Sequence, residues 1–180
     1  MPHSLASYNH LLPESTNRSM SPAPKIAVIS IEGINFSSGF ILKELSIRVQ
    51  EEASTRHYVF NRPADLQMTA KDSRTESYCK RVLGAAGIND YTIGSLDYYT
   101  HVGILYSLAN HTIYCAGHVA HKFLSNLLPY TCIYDIQDIA THVFPKELPS
   151  AWCGLNHNPR YCSLAKLWNM VHFVQAELHQ

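Results

Sequence analysis

Cys153, His157 and Cys162 fall within ten residues in the stretch WCGLNHNPRYC. One imidazole and two potential thiolates are the soft and borderline donors that zinc prefers. Three donors are one short of a structural site, where zinc is almost always four-coordinate. Glu44 is the best candidate for the fourth, because it stands mid-strand in FILKELSIRV among Leu42, Leu45 and Ile47. A carboxylate buried among such neighbours is costly unless it is paired or metal-bound. The same residues admit a plainer reading, with Glu44 facing solvent or pairing with a Lys or Arg and the two cysteines as reduced core thiols. A Cys153–Cys162 disulfide is a third option, against which the intervening His157 and an intracellular setting both count.

Other constellations are weaker. Glu32 and Glu44 suggest a general acid and base, but two carboxylates on neighbouring strands are common. Ser30 lacks the Gly-x-Ser-x-Gly frame of a nucleophile elbow. The tyrosines of NDYTIGSLDYYTH suit either base stacking or packing at a helix margin. Lys71, Arg74, Lys80 and Arg81 lie within eleven residues and are the nearest approach to a nucleic-acid patch, diluted by Asp72 and Glu76. Neither a Walker A loop nor a GxGxxG turn is present, so no nucleotide cofactor is expected.

The elements that would position these residues follow from periodicity. KIAVISIEGI (25–34) and FILKELSIRV (40–49) read as a hairpin, and RHYVFNRP (56–63) as a third strand closed by Pro63. TESYCKRVLGAAG (75–87) reads as a helix stopped by Gly87. SLDYYTHVGILYSLAN (95–110) reads as another, with Leu96, Tyr99, Val102, Leu105, Tyr106 and Ala109 near one face. HTIYCAG (111–117) is strand-like, HVAHKFLSNLL (118–128) is a helix ended by Pro129, and YTCIYDIQDIA (130–140) is a strand and turn. The last helix, 162–178, carries Leu164, Leu167, Trp168, Val171 and Val174 as an apolar stripe. Three strands followed by alternating helix and strand predict an α/β domain with a mixed sheet over 25–180, after a flexible tail, 1–24.

The totals agree with one folded domain. The chain has 180 residues, 46% hydrophobic and 16% charged, and its 14 basic residues equal its 14 acidic ones, so there is no global attraction to a polyanion. Five cysteines form an odd set behind an N-terminus without a secretory apolar run, which predicts reduced thiols and a cytoplasmic or nuclear setting. No run of 18 apolar residues exists, so no membrane span is expected.

The order of segments is similar to that of the RNase H-like DnaQ exonucleases. That family carries Asp-x-Glu on its first strand, an Asp at the helix after its fourth strand and a final Asp on its last helix. Those acids hold two hard Mg²⁺ ions. Here the first strand reads ISIEG, with Ser30 in place of the Asp and only Glu32 kept. CAGHVAHKFL resembles the second segment but has His121 or a neighbour where the acid belongs, and no Asp or Glu stands between Glu147 and Glu177. The two-metal nuclease mechanism is therefore not expected.

One branch of that superfamily, the Maelstrom domain of the germline small-RNA pathway, has replaced the same acids and binds zinc through a Glu-Cys-His-Cys quartet. This chain resembles it at each ligand: Glu44 in KELSI, Cys153 and His157 in WCGLNH, and Cys162 in YCSLAKLW. The resemblance implies an RNase H-like fold, zinc on Glu44, Cys153, His157 and Cys162, and a binding module rather than an enzyme. It implies partners among single-stranded RNA and the proteins of piRNA-type transposon silencing. The family's HMG box is not expected, since residues 1–24 are too short for one. Two other readings stay open: a virus- or transposon-derived interaction protein or silencing suppressor, and a single-stranded RNA nuclease that works without the family's acids.

Overall fold

The β-branched run that begins at Lys25 forms β1 (Lys25–Phe36), which turns at Ser37 and Ser38 into β2 (Gly39–Val49). Gly39 opens β2 with φ at 123°, in the half of backbone space that favours glycine. The computed structural model describes residues 25–83, 95–139 and 158–178, so the expected N-terminal tail lies outside the described residues.

The hairpin is irregular at one point. Glu32 pairs with Glu44 and Gly33 with Leu42, which leaves Lys43 as an extra residue, a β-bulge. Leu42 and Leu45, three positions apart, thereby enter the same core, where strict alternation would have separated them. Gly33 is required opposite the bulge, because a Cβ there would sit 2.2 Å from the carbonyl oxygen of Ile41.

The remaining strands are β3 (Arg56–Val59), β4 (His111–Cys115) and β5 (Ile133–Asp135), and the sheet order is β3-β2-β1-β4-β5. The first three strands run antiparallel, while β1 pairs parallel with β4 and β4 parallel with β5. The helices are α1 (Ala70–Tyr78), α2 (Thr100–Tyr106), α3 (His118–Leu127), α4 (Ile136–Ile139) and α5 (Ser163–Leu178). The protein is thus α/β, with a five-stranded mixed sheet and flanking helices.

Period-two alternation assigns the two faces of the sheet. Ala27, Ile29, Ile31, Leu45 and Ile47 join Leu105 and Leu108 around α2 and Ala120 and Leu124 of α3 in the larger core. Val28, on the opposite face, packs with Ile136 and with Leu167, Met170, Val171 and Val174 of α5. The buried stripe of α5 is therefore shifted from the expected one: Ala165 and Met170 join Leu167, Val171 and Val174, while Leu164 and Trp168 are only half-buried. The face expected for 95–110 is also rotated: Tyr98, His101, Leu105 and Leu108 are buried, whereas Tyr99 and Tyr106 are exposed.

The expected 75–87 helix starts earlier, at Ala70, under a capping box in which the Thr69 hydroxyl accepts from the Asp72 N–H and Asp72 accepts from the Thr69 N–H. It continues as a π-turn over Cys79–Leu83, and its proposed stop at Gly87 lies outside the described residues. Among the described residues, no helix is long and apolar enough to cross a membrane.

Candidate metal centre at the start of the last helix

Two neighbouring rungs of the sheet carry polar side chains on the face that α5 covers. On one, Ser30 pairs with Ser46 and Ser46 with His57; on the next, Glu32 pairs with Glu44. Ser30, Glu44 and Ser46 are all buried, Glu44 and Ser46 completely. Hydrophobic strands do not bury such groups without partners, and α5 supplies several of them.

The Ser163 backbone N–H donates to Glu44 Oε2 at 3.1 Å, and the Ser163 hydroxyl donates to the same oxygen at 3.3 Å. Ser163 Oγ is also 2.8 Å from Ser46 Oγ, which in turn lies 2.7 Å from His57 Nδ1. A buried carboxylate thus closes the N-terminus of a sixteen-residue helix, where unpaired N–H groups and the helix dipole favour negative charge. Cys162, fully buried, immediately precedes Ser163, so its thiol and the Glu44 carboxylate arrive at the same helix end.

Glu32 sits beside this point. Burial pushes its carboxyl above the usual range, an effect countered by the nearby Lys166 ammonium and reinforced by Glu44 and Cys162. Lys166 forms an ion pair with Glu32 and lies 5.8 Å over the ring of Tyr161. Glu32 is therefore already paired with a cation of the chain itself.

Of the expected zinc ligands the structure describes Glu44 and Cys162: both are buried, and Glu44 accepts from Ser163, the residue after Cys162. Cys153 and His157 lie outside the described residues. Among the described residues, no three His, Cys, Asp or Glu side chains converge as a metal site. Glu44 and Cys162 are both donor types that zinc accepts, and they lie where the chain enters α5 from the segment that holds Cys153 and His157 in sequence. Cys115 is of a different kind, since burial pushes its thiol up to about 12 and its Sγ–H donates to the Tyr134 carbonyl.

The weaker nucleic-acid candidates lie elsewhere. Lys71, Arg74, Lys80 and Arg81 are exposed on α1 and the π-turn after it. The two acids expected to dilute them are buried: Glu76 is turned inward, and Asp72 holds the Ser37 turn through two 2.7 Å hydrogen bonds. Sequence reasoning missed Ser46, His57, Ser163 and Lys166. Ser163 had a signal in its position directly after a candidate ligand at a helix start.

No family model matches the sequence, and no curated protein or solved structure matches it either.

Proposed function

We propose that this chain is a zinc-clamped binding module, a nuclease-dead RNase H-like domain of the Maelstrom type that serves RNA and proteins in small-RNA silencing of transposons. The reading rests chiefly on one observation: Glu44, buried in the second strand, receives the first amide of the last helix beside Cys162. Glu44, Cys153, His157 and Cys162 would hold the metal. The ion would supply a cross-link between β2 and the entry to α5, a contact otherwise made across 119 residues of chain.

The sheet order β3-β2-β1-β4-β5, with the last helix packed over β1, supports the RNase H-like part of the reading. The nuclease-dead part is supported by Ser30 in the first acid's position and by the Lys166 ammonium on Glu32. Protein purified without chelator should carry about one zinc per chain, and Cys153→Ser should lose both the metal and much of the stability. A folded protein that contains no zinc would overturn the clamp.

A further inference from the structure

The tip of the β1–β2 hairpin and the first two turns of α3 enclose a cleft of about 490 Å³. That volume lies in the range of small-ligand sites, roughly 300–1,000 Å³. Its floor is aromatic: the rings of Phe40 and Phe123 meet edge to face, with centroids 5.4 Å apart and planes at 67°. Its rim carries His118 and Lys122, one helical turn apart and both exposed, together with the amides of Asn35 and Asn126. Among the described residues, none of these four side chains is engaged in a hydrogen bond or ion pair, and no acidic residue lines the cleft.

From this combination we infer that the cleft binds one nucleotide of a single-stranded RNA, the base against Phe40 and the phosphate at Lys122 and His118. The inference rests on the RNA-binding reading above and gives it a place on the surface. An aromatic ring offers a stacking face to any unpaired base. Side-chain amides supply both donors and acceptors for a base edge. Lys122 supplies a point charge for the phosphate, and His118 adds to it when protonated.

Two other clefts among the described residues do not suit an anion. The one on the far side of the hairpin turn is lined by Asp65, whose carboxylate accepts from the Tyr99 hydroxyl and would repel phosphate. In the one beside α5 the cation is Lys166, which Glu32 neutralises.

The test is fluorescence anisotropy with a labelled uridylate of about ten nucleotides, titrated at about 50 mM and higher salt. Lys122→Glu should weaken binding at least about five-fold and lower the salt slope by about one. Phe40→Leu, which keeps the core filled but removes the stacking face, should weaken binding while its melting temperature reports that the fold persists. Lys71→Glu, on α1, should change affinity by less than about two-fold. Binding lost through Lys71 but not through Lys122 or Phe40 would overturn the cleft as the site. No binding by the parent protein would also overturn it, and zinc analysis of the same sample would then show whether the clamp stands without an RNA role.

Discussion

The carboxylate of Glu44 and the backbone amide of Ser163, 119 residues apart in sequence, meet at 3.1 Å beneath the last helix. The contact pairs a helix-terminal N–H with one oxygen of a buried carboxylate. Either group left alone there would cost on the order of 1–3 kcal/mol.

Glu44→Gln tests this junction most directly. The amide keeps the shape of the carboxylate and one acceptor oxygen, but it loses the charge and becomes a poor zinc ligand. We expect a loss of about 1.5–3 kcal/mol, the worth of a charge-assisted hydrogen bond, before any metal contribution. Urea denaturation in the presence of excess chelator isolates that part. The additional loss seen without chelator is the contribution of zinc.

Gly33 offers a test of the bulge that aims these residues. A methyl group there would meet the Ile41 carbonyl oxygen at 2.2 Å and the Phe40 ring at 2.7 Å. The ring can move, but the carbonyl is held in the hairpin ladder. Gly33→Ala should therefore cost at least about 1–3 kcal/mol, as overpacking of a closed site does. Gly103→Ala, where a Cβ meets nothing within 4 Å, is the matched control and should be neutral or stabilising. Equal denaturation midpoints for the two variants would show that the hairpin yields freely at the bulge.

Asp72 couples the hairpin turn to α1, and its effect should be visible in acid. Hydrogen bonds from the Thr69 hydroxyl, the Ser37 N–H, the Ser37 hydroxyl and the Thr69 N–H hold its carboxyl well below the usual range. A depressed carboxyl stabilises the fold at any pH above the unfolded value, near 3.8, and the contribution fades as pH falls through the folded value. Asp72→Asn should lower the melting temperature at pH 7 and flatten its decline in acid below about pH 4. An unchanged acid limb would mean that other carboxylates carry the transition.

The order of elements was legible because the strands are short apolar, β-branched runs set apart from the helical periods by turn residues. The phase of the 95–110 helix was not legible, and the reason is specific. Leu96 belongs to a bridge with Phe60, held by its N–H on the Val59 carbonyl and its carbonyl on the Asn61 N–H, so counting from it set the helical face wrongly. Glu44 stood out because a lone carboxylate in an apolar strand demands a partner. His57 and Ser46 gave no comparable signal: their meeting with Ser163 depends on strand register and on where α5 lands, which no local window contains.

His101 gives the last prediction. It lies buried among the rings of Tyr98, Phe60 and Phe123, with centroids at 4.8, 5.8 and 5.8 Å. Its Nδ1 is 2.6 Å from the Tyr98 carbonyl oxygen, an acceptor only, so Nδ1 carries the proton of the neutral ring. Burial pushes its pKa below the ordinary 6.5, and the hydrogen bond to Tyr98 only partly offsets that. For a histidine depressed in this way, the unfolded chain binds more protons than the native one. Stability is therefore complete above about pH 6.5 and is lost as pH falls from there toward the folded value. His101→Phe removes the titration but keeps an aromatic ring in the cluster. The melting temperature of the parent should fall between about pH 7 and pH 5, and that of the variant should fall less over the same interval. Parallel pH profiles for the two proteins would show that His101 does not carry the loss.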